Sequence, residues 1–337
     1  MKRFDVYGLG NALVDMEFEV EDGFLDLMRI DKGVMTLVDA DQQHQLLTHL
    51  DSFEGVRASG GSAANTLIAV AAMGGSSYYT CKVADDDLGH FYLHDLVAAG
   101  VHTNMEGKHE TGITGKCVVM VTPDAERTMH TYLGVSSELS IDELHKEYIA
   151  ESNYCYMEGY LVTSESAKAA NIEARKTAEA HGVKTALTFS DPSIVEFFGD
   201  ALTETIGDGI DLLFSNEAEA LAYTQKDNID DAMNVIKTFS KNFAITLGAE
   251  GAVVYDGSTL YEIAANKINP IDTNGAGDMF AGAFLYGINN GYSYEDAGEL
   301  ASLGASQVVS KFGPRLAVED YKKLSAQSFS SRSNRKR

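Results

Sequence analysis

The feature that most constrains this 337-residue chain is a regular alternation that begins after Ser140. Short apolar runs at 154–157, 185–188, 212–215, 243–247 and 252–255 are separated mostly by stretches of helical periodicity at 164–181, 194–206, 218–223 and 229–239. Compact apolar runs read as strands, and apolar positions at i, i+3 and i+4 read as helices. Such alternation predicts an α/β fold with a doubly wound, mostly parallel sheet flanked by helices, and ligands at the carboxyl ends of its strands. Further strands are expected at 4–9 and 78–83. Further helices are expected at 41–50, from the glycines at 60–61 through Ala72, and at 87–99. Segments 13–20, 34–38, 114–121 and 127–133 do not fit the alternation. The last two flank a Pro123-Asp124 turn and read as a hairpin. These four are expected to form a small accessory sheet, a lid over substrate.

A chain of this length buries a substantial core without staples, and 45% hydrophobic with 23% charged residues is ordinary for a globular protein. One domain is expected over 1–329, with the lid inserted from about 12–38 and 104–134, followed by a disordered basic tail at 330–337. A net charge of −24 argues against nucleic acid or an anionic membrane as partner. Cys81, Cys117 and Cys155 lie far apart, with neither disulfide nor metal spacing, so a reducing compartment, the cytoplasm, is expected. Asp5 interrupts the apolar stretch after Met1-Lys2-Arg3, so no secretory signal is expected. The longest apolar run, 67–73, is too short to span a bilayer. Monomer and homodimer are both compatible with the sequence.

Asp272-Thr273-Asn274-Gly275-Ala276-Gly277-Asp278 carries the most chemistry. It runs into apolar positions 279, 280, 283, 284, 287 and 288, which recur at helical spacing. Free backbone N–H groups at a helix N-terminus, with the helix dipole behind them, make an anion site. Gly275 and Gly277 remove side chains that would keep a phosphate away. An aspartate there repels phosphate, so it needs another task, and taking a proton from an attacking hydroxyl is the obvious one. Other motifs fail. Gly8-Leu9-Gly10 lacks the third glycine of a dinucleotide site, His90 and His94 lack a third ligand, and no P-loop occurs.

Gly60-Gly61-Ser62-Ala63-Ala64-Asn65 and the 272–278 motif, in this order on an α/β scaffold, resemble the signatures of the ribokinase-like, or PfkB, family of sugar and nucleoside kinases. The resemblance spans Gly10 to Pro314. It implies a ribokinase-like fold, with ATP and magnesium as cofactors. Asp278 would be the catalytic base, and the Gly275, Ala276 and Gly277 amides the anion hole for the transferred phosphoryl group. Asn216-Glu217-Ala218-Glu219 resembles the family's N-x-x-E, which organises magnesium and its waters; a capped helix with an acidic first turn is the plain alternative. Thr246-Leu247-Gly248-Ala249-Glu250-Gly251 resembles the nucleotide-binding turn, placing Asn216, Thr246, Gly248 and Gly251 on the nucleotide. Asp272 resembles a ligand of the monovalent cation, potassium, near the anion hole. Arg127 resembles a lid arginine that contacts phosphates, with an exposed hairpin arginine as the alternative.

Gly10-Asn11-Ala12-Leu13-Val14-Asp15 is similar to the G-N-x-x-x-D of the family's adenosine kinases, where the aspartate binds ribose hydroxyls. The alternative for Asp15 is an outward-facing strand carboxylate, like Glu17 and Glu19. Ser62 stands where ribokinases proper carry lysine, and Asn274 and the run from Glu126 to Gly134 also resemble the adenosine kinases. The resemblance places Asn11, Asp15, Gly60, Gly61, Asn65 and Leu133 on the acceptor. It implies ATP-dependent phosphorylation of the 5′-hydroxyl of a purine nucleoside, adenosine first. Within the family the alternatives are inosine, guanosine, or a sugar such as ribose or fructose. A catalytically silent nucleotide- or sugar-binding regulator is the alternative from another class.

Overall fold

The computed structural model describes residues 2–108 and 110–335, with side chains to 326. Among these, nine strands form the main sheet. Their spatial order is Leu260–Ile263, Ala252–Tyr255, Ser240–Thr246, Ile210–Asn216, Lys184–Thr188, Ser152–Glu158, Phe4–Leu9, Ser77–Thr80 and His102–Thr103. Neighbours pair in parallel except where Ala252–Tyr255 is a partner. The chain builds outward from Phe4–Leu9 in both directions, so strand order reverses between Phe4–Leu9 and Ser152–Glu158. Open α/β sheets bind ligands in the crevice at such a point.

The central strands are buried on both faces, which is why they read as continuous apolar runs. In Ser152–Glu158, Tyr154 and Tyr156 enter one core, with Leu67 and Phe284. Cys155 and Met157 enter the other, with Ala170 and Phe243.

The expected accessory sheet is present, in the order Met35–Leu37, Arg127–Gly134, Thr114–Val121, Leu13–Glu19 and Gly55–Gly60. Its extent needs correcting. Gly55–Gly60 lies outside 12–38 and 104–134, and the described residues of 104–113 add no strand to this sheet. Gly-Val-Arg-Ala-Ser-Gly has a glycine at each end and only the short alternation Val56-Arg57-Ala58-Ser59, with Val56 exposed, so propensity marks it weakly. It is a strand through its backbone ladder to Leu13–Glu19, from Leu13 opposite Gly60 to Phe18 opposite Gly55.

One face of this sheet carries Val14, Met16 and Phe18, in the core with Leu46 and Leu50 of helix Ala40–Leu50. Gln43 of that helix ties it down, its Nε2 donating to the carbonyls of Lys116 (2.8 Å) and His130 (3.3 Å). Alternation along a strand puts Leu13, Asp15 and Glu17 on the opposite face. There they lie beside Cys117 and Val119 of the paired strand.

The last helix, Val318–Arg335, runs into the 330–337 tail expected to lack order, and residues 336 and 337 lie outside the described residues. No helix among the described residues is long and apolar enough to cross a membrane.

Candidate active site

Two helix N-termini converge. Helix Ala276–Asn289 starts from Gly275, whose φ of +72° is left-handed and whose Cβ, if present, would lie 2.1 Å from the Pro314 carbonyl oxygen. Only glycine fits both conditions. Helix Ser62–Ala72 starts from Gly61. Neither glycine N-cap offers a side-chain acceptor. In Ser62–Ala72 the Ala63 N–H is held by Glu158, whereas the start of Ala276–Asn289 suits a ligand.

Asp278 sits where these ends meet. Ser62 Oγ donates to its Oδ1 (2.7 Å) and Asn65 Nδ2 to its Oδ2 (3.0 Å). Burial raises its pKa, while these two hydrogen bonds and nearby Arg127 pull it back. The carboxylate is therefore oriented, and each oxygen keeps a lone pair for a hydroxyl proton. Ser62, in the place of the ribokinase lysine, is a partner of Asp278.

Asp278 and residues 275–277 border a cavity of about 290 Å³. Of the residues expected at the acceptor, Asn11, Asp15, Gly61, Asn65 and Leu133 line it; of those expected at the nucleotide, Asn216 and Thr246 do, and so do Glu219, expected at magnesium, and Arg127. Gly60 lies directly against the Asp15 carboxyl group. Gly248 and Gly251 are not in the lining. They flank the turn into Ala252–Tyr255, where Leu247 N donates to the Gly251 carbonyl (2.8 Å). Asp272 is fully buried, its Oδ1 accepting from Asn274 N (2.8 Å) and its Oδ2 from Gly313 N (2.9 Å).

Asp15 is 6% exposed, faces the cavity and accepts no hydrogen bond from the described residues. Burial holds its pKa well above the carboxylate range; Glu17 and Asp278 add to this, and Arg315 and Arg127 oppose it. A buried carboxylate without a donor is costly, so the site is built for something that brings donors. Asn11 is oriented by Ser136, whose Oγ donates to Asn11 Oδ1 (3.2 Å).

Asn216 and Glu219 hold each other. Asn216 Oδ1 accepts from Glu219 N (2.8 Å), Glu219 Oε2 accepts from Asn216 N (2.9 Å), and Asn216 Nδ2 donates to Glu219 Oε1 (2.8 Å). This is a capping box, and both residues also line the cavity. Burial pushes Glu219 up to about 7, partly offset by the Asn216 N–H.

Sequence reasoning missed two carboxylates. Glu17 was read as outward-facing like Glu19, yet it is 2% exposed and accepts from Asn274 Nδ2 (2.5 Å). Its parity with Asp15 was the available signal. Burial and Asp272 push it up to about 7, opposed by the Asn274 hydrogen bond and two arginines. Glu158 closes the central strand Ser152–Glu158 at the reversal of strand order, fully buried. Its Oε1 accepts from Asn11 N (3.1 Å) and its Oε2 from Ala63 N (2.8 Å), joining the first motif to the second. An acid ending an apolar central strand was the signal.

Burial pushes Glu158 up to about 8, against an ordinary 4.5, with the two N–H donors opposing. Through that window the folded protein keeps a proton that the unfolded chain has released. This contribution to stability is complete below about pH 4.5 and is lost as pH rises towards 8. Between pH 6 and 8 the ligand-free protein should lose stability on the order of 2 kcal/mol through this group. Thermal melts of the wild type and Glu158→Gln at both pH values check this. The variant should show the shallower pH slope, and equal slopes would contradict the assignment.

Known proteins share this fold. A probable sugar kinase protein from Rhizobium etli CFN 42 superposes with a TM-score of 0.91 at 36% identity, covering 98% of this chain and 99% of that one. Adenosine kinase from Sinorhizobium meliloti superposes with a TM-score of 0.91 at 37% identity, covering 97% and 99%. A ribokinase of Staphylococcus aureus (strain COL) is 28% identical over 266 residues, 77% of this chain and 84% of the relative. Residues 26–320 match the pattern of the pfkB family carbohydrate kinases, and the chain therefore belongs to that family of phosphotransferases, which use ATP and an alcohol acceptor.

Proposed function

We propose that this kinase phosphorylates the 5′-hydroxyl of a purine nucleoside, adenosine first, to give the 5′-monophosphate. The observation that carries this reading is Asp15, a buried carboxylate without a donor, facing the cavity beneath an apolar sheet face. A carboxylate accepts two hydroxyl donors from a cis-diol, and Leu13, Met35, Met129 and Leu133 offer the apolar cover that a base needs. The adenosine kinase of Sinorhizobium meliloti supports it. A sugar acceptor is the second reading, favoured by the Rhizobium etli sugar kinase and the ribokinase.

In the proposed reaction Asp278 accepts the hydroxyl proton as the oxygen attacks the γ-phosphorus of ATP and ADP leaves. The amides of residues 275–277 face the charge on the transferred group, and Arg127 adds a cation. Positioning carries most of the barrier reduction in such a transfer. Magnesium, when bound, neutralises phosphate charge. Both Glu219 oxygens are already engaged by Asn216, which fits an ion held through water. Each Asp272 oxygen keeps a lone pair beyond its backbone donor, which is the basis for placing potassium there. Thr246, Gly248 and Gly251 are assigned to the nucleotide. The three free, buried cysteines support a cytoplasmic setting.

A panel of adenosine, inosine, guanosine, ribose and fructose with ATP and magnesium, read by ADP release, tests the reading. Adenosine should give the highest kcat/KM. Turnover with a free sugar alone would overturn the nucleoside assignment. Binding of acceptor and ATP without any turnover would make the chain a silent regulator.

A further inference from the structure

We propose that Glu17 is a positioning residue for phosphoryl transfer, acting through Asn274 to make the shape of the anion hole depend on the small sheet being seated over the acceptor. The inference rests on the kinase activity and on the acceptor lying under that sheet.

Asn274 immediately precedes Gly275, the residue from which the anion-hole helix starts. Its side-chain amide is held at both ends by the small sheet. Glu17 Oε1 accepts from Nδ2 (2.5 Å), and Arg127 Nη1 donates to Oδ1 (3.0 Å). Its backbone N–H is held from behind by Asp272. The loop therefore has one set of anchors in the main body and a second in the sheet above. When the sheet lifts, Asn274 loses both side-chain partners together.

Glu17 is also an expensive residue for plain packing. It is buried and makes no ion pair among the described residues, and its Oε2 has no hydrogen-bond partner. A buried carboxylate in that condition costs stability, so its retention calls for a task. Asp15 supplies the link. It is two residues away on the same face of strand Leu13–Glu19, pointing at the acceptor region. An acceptor that binds Asp15 holds this strand down, and the same strand holds the loop through Glu17. A ligand shifts a conformational equilibrium only by its differential affinity for the two states. Acceptor binding should therefore tighten a γ-phosphate, which uses the hole, and leave ADP, which does not, unaffected.

Titration calorimetry tests this with AMP-PNP and ADP, each with and without adenosine or the acceptor that the panel selects. In the wild type the acceptor should tighten AMP-PNP about 10-fold, a usual size for coupling between sites, and leave ADP unchanged. Glu17→Ala should bind acceptor normally and lose the tightening. Glu17→Gln, which still offers an acceptor to Asn274 Nδ2, should keep most of it. In kinetics, Glu17→Ala should lower kcat with the acceptor KM unchanged, and add nothing in an Asn274→Ala background. If Glu17→Ala does not fold, Asn274→Ala and Glu17→Gln give the same reading between them. No tightening in the wild type, wild-type coupling in Glu17→Ala, or additive losses in the double variant would each overturn the role of Glu17. Coupling without turnover would support Glu17 and overturn the kinase reading instead, so the two failures are distinguishable.

Discussion

Asp278→Asn should lower kcat by about 10³-fold or more, the scale of a lost general base in a positioned site, while AMP-PNP and acceptor still bind. The structure says why the loss should fall on the chemical step. The Asp278 carboxylate has its partners outside the 275–277 turn, whose backbone amides are the proposed donors to the phosphate. Its own partners, Ser62 Oγ and Asn65 Nδ2, lie in the other helix. Asparagine keeps an oxygen for Ser62 and loses the charge that accepts a proton. It also removes a buried carboxylate whose pKa is raised by desolvation, so the melting temperature should stay level or rise, as at other sites where function strains stability. Near-normal turnover in Asp278→Asn would remove Asp278 from the role of base. A lost rate with a lowered melting temperature and lost AMP-PNP binding would make it a structural residue.

Asp15→Ala should lower kcat/KM for the acceptor by about 10²- to 10⁴-fold, from two charge-assisted hydrogen bonds at roughly 1.5–3 kcal/mol each. The loss should appear mostly in KM, with the KM for ATP little changed. Gly60→Ala should reproduce much of it without touching a polar group. A Cβ there would lie 2.1 Å from the carboxyl carbon and both oxygens of Asp15, forcing the carboxylate out of its place. Acceptors lacking the 2′- or 3′-hydroxyl should each lose part of the same energy with the wild type and little more with Asp15→Ala. If deoxy acceptors and Asp15→Ala instead show independent, additive losses, the diol is held elsewhere.

Much of this was legible in the chain, and the limits have physical causes. Phe4–Leu9, Thr114–Val121 and Ala252–Tyr255 form where their apolar runs predict, because burial demands an apolar run that ends where a turn begins. The helix start at the cavity was legible because it is contiguous: one glycine-rich turn, one helix start and one carboxylate within seven residues. Gly55–Gly60 was not, because its strand conformation comes from its neighbour's hydrogen bonds and not from its side chains. Glu17 and Glu158 were not, because a buried carboxylate and a solvated one look alike in sequence. What holds Glu17 is Asn274, 257 residues away, and what holds Glu158 is a pair of backbone amides from two other motifs. Ser62 was read only as a missing lysine. That its hydroxyl holds Asp278 emerges once helices Ser62–Ala72 and Ala276–Asn289 are placed together.

The central claim is that Asp278 takes the proton of a nucleoside 5′-hydroxyl while Asp15 holds the ribose. It is tested most directly by a crystal structure with adenosine and AMP-PNP bound together. The expected result is purine density against Leu13, Met129 and Leu133, the 2′- and 3′-hydroxyls within hydrogen-bonding distance of Asp15, and the 5′-oxygen between Asp278 and the γ-phosphate. Adenosine bound with its 5′-oxygen away from Asp278, or its ribose away from Asp15, would contradict it.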